Sequence, residues 1–332
     1  MRLQKARIYA EDPVGGFLPS TGPLLEYLEP NSGIDNNSCE IRVDSGVVPG
    51  GIISQFYDPM ISKLIAYSPK SRSESIEALN KALDNYVIKG IKHNISFLSD
   101  VLRHEAFVNG ETPTDFIDKH YPDGFSGVEL SVKKCTEVAA IAAKASFWRG
   151  DALQRPPNSL HFVEEGDEEE FQTIVCLGGM FGSPYLVEQG EDVLTVTPHD
   201  TDESQSVQVD GIEMGITFPI MDAIVNGEEK TFQISNEDNT GSFSITYEGA
   251  TFDVIVMSLK EYELCSHMKE PRKSDTSNKI LSPMPGTLIS YSVEVSLRYL
   301  FILIGHCTPI MFVRILPVTF TILFFVERGT RH

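Results

Sequence analysis

The chain has 332 residues, is 41% hydrophobic and 22% charged, and carries a net charge of −20. This composition fits a globular protein with room for two domains. The acidic balance argues against a nucleic-acid partner, because no basic patch offsets it.

The elements follow in chain order. Ala6–Ala10 reads as a strand running into a turn at Glu11-Asp12-Pro13. Ile41–Asp44 and Ile61–Tyr67 alternate apolar and polar at period two, the pattern of half-buried strands. Ser71 followed by Glu74 predicts a capping box and a helix whose apolar face is Ile76, Leu79, Leu83 and Tyr86 or Val87, with Gly90 as its stop. Asn94 is the expected cap of a second helix that buries Phe97, Leu98, Val101 and Leu102. A short third helix is expected over Thr114–His120.

From Ser131 to Gly150 the alanines at 139, 140, 142, 143 and 145 predict a helix small and apolar on most sides, suited to being surrounded. The acidic run 164–170 reads as a solvated loop. Short alternating runs then follow at 171–176, 193–197, 206–209, 231–235, 242–247 and 251–257. Turn signals punctuate them at Asp210-Gly211, Asn226-Gly227, Asn239-Thr240-Gly241 and Glu248-Gly249. This spacing predicts an antiparallel sheet or barrel wrapped on the alanine-rich helix. Residues 269–279 read as a linker.

The end of the sequence differs in charge. Residues 281–332 carry a net +2, which leaves −22 on the first 280. Residues 299–326 are strongly apolar, and their length suits a membrane span. Arg314 and the prolines at 309 and 317 count against one, so a membrane is not expected to be a partner. The five cysteines are scattered, without C-x-x-C spacing, which fits a reducing compartment and neither a zinc site nor a disulfide framework. No metal-ligating cluster is expected, and no glycine-rich phosphate loop occurs.

Several stretches resemble the alpha chains of propionyl-CoA carboxylase, within the biotin-dependent acyl-CoA carboxylase family. They are Arg7-Ile8-Tyr9-Ala10-Glu11-Asp12-Pro13, Arg42–Gly46, Tyr57–Ile65, Ala82–Gly90 and Tyr121-Pro122-Asp123-Gly124-Phe125. Ser282-Pro283-Met284-Pro285-Gly286 resembles the opening strand of a biotinyl carrier domain, but the M-K-M hairpin of that domain is missing and Met311-Phe312-Val313 stands near its place. The resemblance fades after Val293.

The resemblance implies an α+β fold. Residues 1–126 would be the C-terminal part of a biotin carboxylase module, a mixed sheet with helices. Residues 131–270 would be a subunit-bridging helix and antiparallel β-barrel domain, 271–279 a linker and 280–293 the start of a carrier domain. Residues 294–332 would be an apolar tail unrelated to the family, and the chain would be truncated at both ends.

The resemblance also implies a two-step chemistry in the intact family, with biotin and MgATP as cofactors and a carboxyl group passed to a short acyl-CoA. It places Arg7 against the biotin ureido oxygen as a catalytic residue. An arginine suits that task because it stays protonated and offers donors to developing oxyanion charge. Asp58 is implied as a cofactor-binding residue near the biotin-side face and the dimer contact, where Asp-Pro is equally the start of a turn. Glu11 and Asp12 read as turn residues and not as an acid–base pair.

The implied partner is a carboxyltransferase beta subunit, with acyl-CoA reached indirectly, and the implied location is the mitochondrial matrix. The family's nucleotide and metal ligands would precede Met1, so the expectation is a chain inactive alone, with no covalent biotin. The alternatives are a non-catalytic module that binds the beta subunit and a membrane-tailed protein.

Overall fold

The computed structural model describes residues 3–34, 39–54, 58–152, 172–190, 193–199, 203–214, 219–235, 241–265 and 267–269, and the backbone of 311–315 and 318–322. The acidic run, the expected linker and the carrier-like strand lie outside the described residues.

The first layer contains β1 (Leu3–Tyr9), β2 (Glu11–Asp12), β3 (Leu18–Pro19), β4 (Gly22–Pro23), β5 (Glu26–Leu28), β6 (Gly33–Ile34), β7 (Glu40–Ser45), β8 (Ile52–Ile53) and β9 (Met60–Tyr67). Then come α1 (Arg72–Asp84), β10 (Val87–Lys89), α2 (Ile95–Arg103), α3 (Glu105–Val108) and α4 (Phe116–His120). The principal sheet has the order β1-β9-β7-β6. The expected mixed sheet is antiparallel throughout among the described residues.

Period two does the sorting in this sheet. Ala6 and Ile8 of β1 lie opposite Leu64 and Ser62 of β9, and all four are buried. Ala6, Ile8 and Leu64 form a core with Ile76, Leu79 and Leu83 of α1. Below it, the hydroxyl of Tyr86 sits 2.6 Å from that of Tyr27 and 2.7 Å from Ser62 Oγ, so the buried phenol is fully engaged.

The helix signals hold in part: of the residues expected to be buried in α2, Phe97 and Leu102 are, while Leu98 and Val101 are half-buried. Ser71 Oγ accepts from Glu74 N at 3.1 Å, as a cap should. The Glu74 carboxylate, however, accepts from Ser68 Oγ at 2.8 Å and does not close the box on Ser71. Gly90 is not the stop of α1, which ends at Asp84 with Asn85 as cap. β10 intervenes and pairs with β5, and Gly90 follows it at φ +102. A Cβ there would stand 2.4 Å from Pro23 O and 2.9 Å from Leu25 N, so the close approach of backbone requires glycine.

The second layer is α5 (Val132–Ala152) inside a curled sheet. Its strands are β11 (Gln172–Leu177), β12 (Ser183–Gln189), β13 (Leu194–Pro198), β14 (Gln205–Val207), β15 (Val209–Met214), β16 (Ile220–Val225), β17 (Glu228–Ser235), β18 (Phe243–Tyr247) and β19 (Ala250–Met257). The order is β14-β13-β12-β11-β19-β18-β17-β16-β15, antiparallel throughout. Residues 136–143 of α5 are all buried, which is what an alanine-rich helix permits when strands approach from several sides. They share one core with Val175, Val187, Val196, Phe232 and Ile245.

Asn226-Gly227 and Glu248-Gly249 turn the chain with both residues at positive φ, as type I′ hairpins need. Asp210-Gly211 is a correction: it lies within β15 as a bulge and not at a turn. After β19 come α6 (Leu259–Cys265) and then β20 (Met311–Ile315) paired with β21 (Val318–Ile322). Among the described residues no helix is long and apolar enough to cross a membrane.

Candidate functional site

Arg7 lies on the outer face of the first sheet. The strand alternation that buries Ala6 and Ile8 turns Lys5 and Arg7 outward. Arg7 is directly opposite Lys63 of β9, and Lys63 is in turn opposite Asp44 of β7. Opposed residues of an antiparallel pair share a face and stand close. Asp44 is taken by Arg42, at 2.7 Å, and among the described residues neither Arg7 nor Lys63 forms an ion pair. Two cations thus face each other with no carboxylate between them, on a chain of net charge −20. That arrangement suits a small anion or a developing oxyanion.

The structure gives Arg7 a firm backbone. β1 is an edge strand, and Asn94 covers its open side. Asn94 Oδ1 accepts from Tyr9 N at 2.9 Å, Asn94 Nδ2 donates to Arg7 O at 3.1 Å, and Asn94 N donates to Tyr9 O at 3.1 Å. The expected capping role is therefore only half right: Asn94 stands at the N-cap position of α2, but its side chain makes no capping bond. Its amide is spent on β1, whose edge groups would otherwise lack partners.

Asp58 is exposed, and its carboxylate accepts from Met60 N at 3.2 Å, the bond of a turn. It lies near Glu11, whose carboxyl is pushed up from its ordinary value, first by burial and then by the charge of Asp58. Ala10 N donates to Pro59 O at 2.9 Å and ties the two segments together. Asp12 points elsewhere. It binds Lys92 at 2.5 Å, and that bond holds its carboxyl below the usual range. Glu11 and Asp12 do not converge, as expected of neighbours in a turn.

Lys63 and Asn94 were not legible as site residues. The alternation of 61–67 does place Lys63 outward, but nothing local pairs it with Arg7. Asn94 is 87 residues from Arg7, and no short-range pattern spans that distance. Among the described residues no group of His, Cys, Asp or Glu could hold a metal ion.

The second notable cluster lies where the two layers meet. Arg103, at the end of α2, binds Asp84 at 2.9 Å and reaches Glu248 at 3.7 Å. Lys134 of α5 binds the same Glu248 at 2.5 Å. Gln233 Nε2 of β17 donates to Asp84 O and Tyr86 O at 2.7 and 3.1 Å, closing the end of α1. A cleft of about 310 Å³ runs along this seam, with His93 on its wall. Burial lowers the His93 imidazole to about 4, so it is neutral there.

Comparison with known proteins agrees with the order of these layers. Residues 5–119 match the model of the biotin carboxylase C-terminal domain, and residues 138–270 that of the propionyl-coenzyme A carboxylase BT domain. The mitochondrial propionyl-CoA carboxylase alpha chain of Sus scrofa is 35% identical over 300 residues, covering 87% of this chain and 39% of that one. The propionyl-CoA carboxylase alpha chain of Ruegeria pomeroyi is 34% identical over 310 residues, covering 87% and 43%. The mitochondrial methylcrotonoyl-CoA carboxylase subunit alpha of Glycine max is 37% identical over 141 residues, covering 42% and 18%. The chain therefore spans about two-fifths of the length of the propionyl-type relatives named here.

Proposed function

From the premise that this chain belongs to the biotin-dependent carboxylases of the propionyl-CoA carboxylase alpha type, we propose that it serves acyl-CoA carboxylation in the mitochondrial matrix. Its relatives from Sus scrofa and Mus musculus are mitochondrial, which supports that location. Biotin and MgATP are the cofactors of the intact reaction, in which biotin carries the carboxyl group. In this reading Arg7 meets the biotin ureido oxygen. The single observation that carries it is the Arg7–Lys63 row, which has no ion-pair partner among the described residues and whose Arg7 backbone is held by Asn94. Asp58, whose carboxylate accepts from Met60 N, is the cofactor-binding residue in the same reading.

The helix-filled barrel is the part that meets a carboxyltransferase beta subunit. It buries its inner face on its own helix, so the part of its outer face away from α1 and α2 can bind without reorganising the core. The 332 residues contain neither a phosphate loop nor an M-K-M hairpin, so the polypeptide alone is expected to be inactive and to carry no covalent biotin. Bicarbonate-stimulated phosphate release above a heat-killed control would contradict that.

The binding reading is tested by mixing the full chain with a propionyl-type beta subunit and measuring mass by light scattering. A joint peak at micromolar concentration is the expected result. Separate elution of a chain shown folded by circular dichroism would reduce the barrel to a spacer.

A further inference from the structure

We propose that α2 is a mechanical link which ties the placement of the Arg7-bearing strand to the β18–β19 turn of the barrel. The inference rests on the reading of Arg7 given above, and it adds a route by which an event on the barrel reaches that residue.

The two ends of α2 are attached to different things. At its start, Asn94 makes three hydrogen bonds to the β1 backbone at Arg7 and Tyr9. Asn94 O also accepts from Leu98 N at 3.0 Å, so the residue that clamps the strand is part of the helix's first turn. At its end, Arg103 reaches the barrel through Glu248 and the first layer through Asp84. Lys134 anchors Glu248 to α5, the helix that fills the barrel.

Between those ends the barrel touches α2 directly. A Cβ on Gly249 would lie 3.0 Å from Ser99 Cβ and 3.2 Å from Ser96 Cα. The turn therefore sits against the helix with no room for one more carbon. Both Glu248 and Gly249 have positive φ, which fixes the turn's shape and limits how it can yield.

A nine-residue helix is about 13 Å long and its backbone bonds make it stiff. Ile95, Ser99 and Leu102 are buried, so α2 shifts as a body against close-packed neighbours or does not shift at all. A displacement imposed at Ser99 and Arg103 is therefore delivered to Asn94. Asn94 then carries it to the carbonyl of Arg7 and the amide of Tyr9. If α2 is instead pinned by its buried side chains, the barrel contact is passive. The experiment separates these cases.

Amide exchange is followed by NMR in the full chain, in the wild type and in the Gly249→Ala and Glu248→Gln variants. The Tyr9 amide, held by Asn94 Oδ1, is expected to exchange about tenfold faster in Gly249→Ala. A smaller increase is expected in Glu248→Gln, with amides of β13 unchanged in both. Asn94→Ala sets the scale, because it removes the Tyr9 acceptor without touching the barrel. If Ser99 and Arg103 amides respond while Tyr9 does not, the link is overturned. Should Gly249→Ala fail to fold, Glu248→Gln carries the test alone, and an unchanged Tyr9 amide there has the same meaning. The readout is a backbone amide, so loss of the catalytic reading of Arg7 would leave this result standing, and the reverse also holds.

Discussion

Lys230→Met is expected to cost about 3–5 kcal/mol of stability, because it strands a carboxylate inside the barrel. Lys230 Nζ lies 2.7 Å from Glu137 Oε2, and the Glu137 side chain is 3% exposed. Among the described residues the other partner of that carboxylate is Asn226 Nδ2, at 3.2 Å. Glu228 also approaches Lys230, at 3.6 Å, but it is largely exposed and contributes little. Removing the ammonium leaves the buried charge with one amide donor. Most of the expected loss is the desolvation of that charge rather than the net worth of the pair.

A second variant tests this account. Glu137→Leu combined with Lys230→Met removes both charges, and it is expected to recover most of the loss. Urea unfolding of the wild type, the single and the double variant measures all three on one scale. A single variant that loses less than about 1 kcal/mol would mean the carboxylate is hydrated, and the buried-charge argument would be wrong.

The second large effect depends on pH. Burial raises the Asp84 carboxyl to about 6, against an ordinary 3.8, and nearby Glu248 adds to the rise while Arg103 and Lys134 oppose it. The folded chain thus holds this proton more tightly than the unfolded chain does. The associated stability is fully present below the unfolded value near 3.8 and is lost as pH rises through about 6. Its size is about 3 kcal/mol at most, taking roughly 1.4 kcal/mol for each pH unit between the two values.

Asp84→Asn is therefore expected to lower stability little, or to raise it, at pH 7.5, although it cuts an ion pair of 2.9 Å. Below about pH 4 the variant has no such advantage over the wild type. Melting temperatures of both proteins between these pH values give the difference directly, and common titrations cancel. A variant that is strongly destabilised at pH 7.5 would show that the Arg103 bond outweighs the cost of burying the charge.

Local pattern carried much of this fold. The alternation at 61–67 predicts β9 and its buried face, and the spacing of Ile76, Leu79 and Leu83 predicts the buried side of α1. Asn226-Gly227 predicts its hairpin, since few other pairs tolerate two positive φ values. β12 and β16 were not legible. Pro184 opens β12 and masks its alternation. In β16 Ile220 and Ile224 point away from the buried Met221 and Val225, so the two faces look alike in sequence.

The buried side of α1, the alanine-rich α5, the Asn226-Gly227 and Glu248-Gly249 hairpins and the two-part family resemblance were all legible in local sequence. These follow from periods of two and 3.6 and from the backbone needs of a few turn residues. Long-range packing alone makes Asn94 clamp the Arg7 strand, sets Lys63 opposite Arg7 and brings cations from two helices to Glu248. The same packing explains why Gly90 serves a close approach and Asp210-Gly211 forms a bulge. Each of these depends on which distant segments pack together. The partners of Glu248 lie 114 and 145 residues away from it in the chain, and local periodicity does not reach across such a separation.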